Sequence, residues 1–323
     1  MSGRVSDPSR PSGLGSAYTT ICYITGMPAR ILVSGVSGPV GAALLPSLRD
    51  RGYKVVRLVR GPASGDQQIS WEPAKPLPAE SVSGFEDVIH LAGESIVGRW
   101  TAAKKARISD SRVSGTRNLT EALAKAPQRP RILITASAAG YYGNRGDEWL
   151  REDSSPGHDF LADVCRQWEA ATQAAAQAGI RTVNMRIGVI LSPAGGALPQ
   201  MLTPFRLGVG GKIGSGRQWW SWIDVNDVVG AIHHIVKTRQ LQGPVNVVAP
   251  KPVTNEEFTK TLAGVLRRPA VFPVPAFAAR LAFGEMADEL LLASQRVEPT
   301  KLLSSGYRFQ RSDLKTALEE ILG

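Results

Sequence analysis

The sequence predicts an α/β protein built on a doubly wound parallel sheet, with a smaller, mainly helical lobe toward its C-terminal end. Three observations predict it. Short apolar runs of strand composition alternate with segments of helical periodicity from Ile31 to Leu191. The first run stops at Gly35 and continues with glycines three apart, Gly38 and Gly41, at the opening of a helical pattern. From Thr254 to Gly323 the pattern is mainly helical, broken at Pro273 and Pro275.

Taken in order, Ile31 to Val33 form a short strand, and Val40, Ala43, Leu44 and Leu48 recur at helical spacing up to a stop at Gly52. Tyr53 to Val59, Y-K-V-V-R-L-V, completes a β-α-β unit. A loop-rich stretch with Pro62, Gly65, Pro73, Pro76 and Pro78 leads to the strand-like Asp87 to Gly93. Thr101 to Ala126 carries helix formers with Ile108, Val113, Leu119 and Leu123 as apolar positions, and Arg131 to Thr135 is a buried strand. Asp159 to Ala178 reads as one alanine-rich helix ended by Gly179, and Arg181 to Leu191 as one strand with Val183, Met185, Ile187 and Val189 alternating. No buried strand leads into Gly208 to Gly216 and no clean helix leaves it, which suits a mobile loop over a cleft. Trp222 to Asp227 introduces a helix through His234, and Pro244 to Val248 adds a strand.

At 323 residues the chain can bury one large core with an appended lobe. Residues 27–190, completed by about 222–250, form the nucleotide-binding domain, and residues 191–221 with 251–323 form the lobe. Residues 1–26 are rich in Ser, Gly, Pro and Arg and lack the apolar core of a secretory signal, so a disordered extension is expected. A transit peptide and a start codon upstream of the true one at Met27 are the alternatives. The net charge of +10 permits nucleic-acid binding, yet its densest stretch, Lys104, Lys105, Arg107, Arg112 and Arg117, winds around a helix without interleaved aromatics. No nucleic-acid partner and no membrane partner are expected. Cys22 and Cys165 form no disulfide framework, which fits a cytoplasmic location, and the adjacent His233 and His234 point apart on a helix, so no metal site is expected.

The glycine run carries the first chemical reading. A buried strand must end in a tight turn for backbone N–H groups to reach a pyrophosphate at the positive end of the next helix. Gly35 suits that turn, Gly38 leaves room for phosphates, and Gly41 allows close packing of helix on strand. An acid at the end of the second strand would bind the adenosine ribose and repel an extra phosphate. Arg60 stands there instead, which favours NADP(H) over NAD(H) through a forked charge-assisted contact, while Arg57 reads as a surface residue.

With S-G-V-S-G-P-V-G at Ser34 to Gly41, H-L-A-G at His90 to Gly93, S-R-V-S-G-T at Ser111 to Thr116, S-A-A-G-Y-Y-G at Ser137 to Gly143, S-W-I-D-V-N-D-V-V at Ser221 to Val229 and S-Q-R-V-E-P at Ser294 to Pro299, the chain resembles the extended short-chain dehydrogenases. It is similar to their atypical epimerase-like branch with a distinctive C-terminal domain, from Met27 onward. The resemblance implies a Rossmann domain with a substrate lobe, and an NADP(H)-binding oxidoreductase or nucleoside-diphosphate-sugar-epimerase-like enzyme acting on a small molecule as monomer or homodimer. It also implies that Gly35, Ser37, Gly38, Pro39, Val40, Gly41, Arg60, Leu91, Ala92, Gly93 and Arg186 line the cofactor.

Relatives use a Tyr as acid or base, a Lys four residues later, and a Ser that holds the reacting oxygen. Ser137 fits the Ser, but Phe160 and Val164, or after a one-residue slip Leu161 and Cys165, occupy the Tyr and Lys positions. Tyr141 or Tyr142 then supplies the acid, with Arg112, in the place of an active-site Asn, stabilising the developing charge. Trp100, Trp219, Trp220 and Trp222 suggest an aromatic-lined pocket, and Arg99 and Arg217 candidate contacts to an anionic group. The missing Tyr and Lys motivate the alternative, a catalytically degenerate dinucleotide-binding regulatory or assembly protein.

Overall fold

The computed structural model describes residues 29–323; the expected disordered extension over 1–26 and Cys22 lie outside the described residues. Seven strands form the central sheet: β1 (Arg30–Ser34), β2 (Lys54–Val59), β3 (Gln68–Ser70), β4 (Asp87–His90), β5 (Ile132–Ala138), β6 (Arg181–Ile187) and β7 (Gly243–Val247). Their order is β7-β6-β5-β4-β1-β2-β3, with every neighbouring pair parallel. The direction of winding reverses between β1 and β4, and ligands of such sheets bind in the crevice at the carboxyl ends of the strands there.

The helices are α1 (Pro39–Asp50), α2 (Ala102–Lys125), α3 (Phe160–Ala170), α4 (Gln173–Gln177), α5 (Ala197–Arg206), α6 (Val225–Lys237), α7 (Asn255–Leu266), α8 (Ala276–Phe283), α9 (Thr300–Ser304) and α10 (Leu314–Leu322). On one sheet face Leu44 and Leu48 of α1 and Ile232 and Ile235 of α6 pack on Ile31, Ile134 and Met185. On the other, Leu119 and Leu123 of α2 and Ala175 of α4 pack on Leu32, Val56, Val88 and Leu133. Burial on both faces is why these strands read as near-continuous apolar runs. A separate core joins Leu198, Leu202, Trp220, Trp222, Phe258, Leu262 and Leu318 in the C-terminal lobe. A fourth cluster, Trp100, Ile108, Leu161, Val164 and Met286, seals the seam between lobe and sheet.

Three elements differ from the sequence reading. The loop-rich stretch after β2 contains the edge strand β3, too short to show alternation. The single helix expected to Ala178 is broken after α3, because Thr120 of α2 donates its hydroxyl to the Ala171 carbonyl at 2.7 Å and Ala175 N–H turns to Thr172. The single strand expected to Leu191 is cut at Gly188, where a Cβ would stand 2.3 Å from the Ser221 carbonyl oxygen. Beyond that contact Val189–Leu191 leaves the sheet and pairs with Trp222–Asp224. The Gly208 to Gly216 segment is also held rather than free: Gly214 N–H donates to Val274 O, Val274 N–H to Lys212 O, and Ile213 N–H to the Asn255 side chain.

Candidate functional site

The glycine turn is built by two close approaches. Gly35 has φ +72°, and a Cβ there would lie 2.5 Å from the Leu91 carbonyl carbon, so the β1 turn rests directly on the chain leaving β4. A Cβ at Gly41 would lie 2.4 Å from the Gly35 oxygen, whereas one at Gly38 would meet only that oxygen, at 3.4 Å. The opening over Gly38 therefore faces the start of α1. That helix has Gly38 as N-cap with no side-chain cap, Pro39 at its first position, and no acid in its first turn. Its N-terminal N–H groups need an acceptor, and an anion is the natural one. Ser37 is exposed at the turn, whereas the Val40 side chain is in the core.

The exit of β4 is fixed by a buried polar chain. Ser34 Oγ lies 2.6 Å from His90 Nδ1 and accepts from Leu91 N–H, and His90 Nε2 lies 3.1 Å from Thr116 Oγ1. Leu91 and Ala92 are partly buried beyond it and Gly93 is exposed. Burial pushes the His90 imidazole down to about 4. Its neutral form thus stabilises the fold above the unfolded-state value near 6.5, and the contribution is lost as pH falls toward 4, because only the unfolded chain takes up the proton. Replacing His90 with Gln should flatten the acid limb of stability by on the order of 3 kcal/mol, read from urea unfolding at neutral and mildly acidic pH. His233, also held down to about 4, gives the same trend in both proteins.

Arg60 is exposed at the end of β2 and has no ion pair or hydrogen bond among the described residues. It borders a recess of about 510 Å³ lined also by Ser70, Trp71, Glu72 and Lys75.

Farther along the same carboxyl edge of the sheet, two of the predicted catalytic residues, Ser137 and Tyr142, join one buried network around Arg186. Arg186 donates from Nε and Nη2 to Glu169 at 2.8 and 2.9 Å, and from Nη1 to the Tyr142 hydroxyl and the Glu152 carbonyl. Ser137, opposite Arg186 in the β5–β6 register, donates to Glu169 Oε1 at 2.8 Å. Tyr142 donates to Asn246 Oδ1 at 2.7 Å and is fully buried, which pushes its phenol up to about 12. These contacts correct several expectations. Ser137 donates its one proton to Glu169, Tyr142 is fully buried, and Arg186 is 3% exposed with all three nitrogens engaged, so none of the three stands open as expected. Arg112 is not beside either tyrosine: it lies over Trp168 and donates to the Glu94 and Ile108 carbonyls, under Gly93.

Tyr141 remains. It is partly exposed, its hydroxyl has no hydrogen bond among the described residues, and Arg186 Cζ lies 3.4 Å from its ring centroid. Gly157 N–H ties its carbonyl to a recess of about 400 Å³ lined by Asn144, Arg145, His158 and Asp159.

The slipped alignment of the missing Tyr and Lys is the one with its side chains toward the site. Phe160 turns away onto Trp100, whereas Leu161 and Cys165 both face Gly140. Burial, with Glu169 nearby, pushes the Cys165 thiol up to about 12, so it relays no proton. Sequence reasoning missed Glu289, whose carboxylate accepts from Leu161 N–H at 2.8 Å and Phe160 N–H at 3.2 Å at the start of α3. Burial and the nearby Asp159 and Glu285 raise it to about 7. It sits in a π-helical turn, Ala287–Leu291, directly after a second acid, Asp288, so the sequence pattern does not single it out as a buried acid. Glu169 reads from the sequence as a further candidate acid or, more simply, a solvated helix residue; it is instead the buried partner of Arg186, which shares a strand face with Thr182 and Asn184. Of the four tryptophans, Trp100, Trp220 and Trp222 are core residues, and only Trp219 is partly open.

No helix among the described residues is long and apolar enough to cross a membrane. The model of the NAD dependent epimerase/dehydratase family matches residues 31–248, and that of a domain of unknown function (DUF1731) matches residues 274–321. An epimerase family protein of Mycobacterium bovis, Mb2239, is 40% identical over 90% of this chain and 96% of its own. The epimerase family protein YfhF of Bacillus subtilis is 39% identical over 90% and 97%. The crystal structure of human epimerase family protein SDR39U1 with NADPH superposes with a TM-score of 0.83 at 36% identity, covering 90% of this chain and 98% of that one. With the fold, the glycine turn and these matches in agreement, the chain belongs to the NAD dependent epimerase/dehydratase family.

Proposed function

We propose that the protein is an NADP(H)-dependent oxidoreductase of a small molecule, with Tyr141 as the proton donor or acceptor at the reacting oxygen. The observation that carries the cofactor reading is the pairing of an uncapped, acid-free helix start under Gly38 with an exposed arginine, Arg60, that has no hydrogen bond or ion pair among the described residues and stands at the end of β2. NADPH in the similar human protein supports the same preference. When bound, the nicotinamide supplies or removes a hydride. The α1 N–H groups would hold the pyrophosphate, Arg60 the 2′-phosphate, and Leu91 to Gly93 the chain's path past the nucleotide. Tyr141 would pass a proton to or from the substrate oxygen, and Arg186 over its ring supplies the positive charge that the absent Lys provides in relatives.

Two outcomes test this. Arg60→Ala should weaken NADPH binding about 10- to 100-fold, the loss of one or two charge-assisted bonds, while leaving NADH binding unchanged; calorimetric titration of both nucleotides decides. Tyr141→Phe should lower kcat about 10²- to 10⁴-fold, whereas Tyr142→Phe should mainly lower stability; equal retention of turnover in both would remove the acid role from Tyr141.

Leu161 and Cys165 in the Tyr and Lys positions favour a second reading, a dinucleotide-binding regulatory protein without turnover. Binding of NADPH with no consumption by any carbonyl compound would select it.

A further inference from the structure

Arg296 lies in S-Q-R-V-E-P, a segment that the proposed chemistry does not use. Arg296–Val297 pairs in parallel with Trp149–Leu150, from the loop that follows β5 and Tyr141. The two faces of this small ladder differ. Leu150 and Val297 are buried against Ala139 and Tyr142, with Tyr141 beside them. On the other face the Arg296 guanidinium is sandwiched between indoles, 4.0 Å from the Trp149 ring centroid and 4.1 Å from that of Trp219.

The frame is rigid. Trp219 Nε1 donates to Asp147 Oδ1 at 2.8 Å and its backbone N–H to Ser294 Oγ at 3.0 Å, while Ser294 Oγ donates to the Gly146 carbonyl at 2.6 Å. Ser294 also accepts from Arg145 N–H and donates its own N–H to Asn144, so the frame adjoins the recess that those two residues line.

The charge inside the frame is unanswered. Arg296 Nε is buried with no hydrogen-bond partner, and the guanidinium has no hydrogen bond or ion pair among the described residues. Arginines that brace this fold have carbonyl or carboxylate partners: Arg112 donates to two carbonyls, Arg181 to the carbonyls at the end of α6, Arg186 to Glu169, and Arg311, whose Nη1 also lacks a hydrogen bond, is ion-paired with Asp224 and Glu320. With two indole rings within 4.1 Å of Cζ and Nε buried, the two Nη groups are left for a forked contact to two oxygens of one anion. Because the indoles already hold the side chain, little rotamer freedom is lost on binding. Trp149 is 45% exposed, so the frame is reachable from solvent.

We propose that Arg296, framed by Trp149 and Trp219, is an oxyanion-binding site that takes the carboxylate or phosphate group of the small molecule entering the adjoining recess. The assignment rests on the reading that this cleft receives a small molecule, but its test requires neither cofactor nor turnover. Tryptophan emission of the full chain is followed during titration with sodium phosphate and, separately, sodium acetate, against chloride at constant ionic strength. A saturable change is expected with at least one of them. It should weaken tenfold or more in Arg296→Met and in Arg296→Lys, which keeps the charge but not the planar fork, and persist in the exposed-arginine control Arg239→Gln. Response to phosphate alone assigns a phosphate group, and response to acetate alone a carboxylate. Circular dichroism verifies that the variants fold. No saturable change with either anion, or one equally strong in both Arg296 variants, overturns the site. An anion response in a protein that never turns over would leave the site standing and remove the oxidoreductase reading.

Discussion

Gly35→Val is expected to cost roughly 4 kcal/mol or more of folding stability and to abolish NADPH binding. A β-branched residue at φ +72° is strained by its own backbone, and its Cβ would stand 2.5 and 2.6 Å from Leu91 and Ala92 main-chain atoms, which no rotamer change can move aside. Relief requires β1 to separate from the exit of β4, and with it the Ser34–His90 contact. Gly38→Ala isolates the other half of the turn. Its Cβ meets only the Gly35 oxygen, at 3.4 Å, so urea unfolding should shift by less than about 1 kcal/mol while NADPH affinity drops, because the methyl group fills the space offered to phosphate. Equal behaviour of the two variants in both measurements would contradict these separate roles.

Arg186→Met is expected to destabilise the protein by about 3 to 5 kcal/mol. Burial disfavours the Arg186 charge, yet the Glu169 hydrogen bonds and charge outweigh it and hold the guanidinium protonated above its ordinary range. Removing the cation leaves Glu169, whose side chain is 12% exposed, with the Ser137 hydroxyl as its remaining side-chain partner. The double change Arg186→Met with Glu169→Leu removes both charges and should recover much of the loss, since an apolar pair of similar volume costs little where an unpaired charge costs much. Denaturant midpoints of the two single variants and the double variant give the coupling. The double variant should stay inactive even if stable, because the cation over Tyr141 is gone.

What the sequence discloses and what it hides follow from the range of the interactions concerned. The sheet, the glycine turn and Arg60 are legible because each depends on local pattern: apolar runs, glycine spacing, and the residue ending one strand. β3 is hidden because three residues cannot show a period. The breaks after α3 and at Gly188 are hidden because their causes, the Thr120 hydroxyl and the Ser221 carbonyl, come from distant segments. The segment from Ser137 to Gly143 is only half legible for the same reason. S-A-A-G-Y-Y-G identifies the loop, but which tyrosine is free depends on Asn246, 104 positions from Tyr142. Likewise the cation at Tyr141 is Arg186 from β6 and not Arg112 from α2, a choice made by strand register.

The most direct measurement is consumption of NADPH by the purified protein across a library of small carbonyl compounds, followed by the absorbance of the reduced nicotinamide, with Tyr141→Phe in parallel. At least one compound should be reduced with stoichiometric loss of NADPH, at a rate about 10²- to 10⁴-fold lower in the variant. NADPH bound but unconsumed by every compound, or consumed equally fast by Tyr141→Phe, would contradict the proposed chemistry.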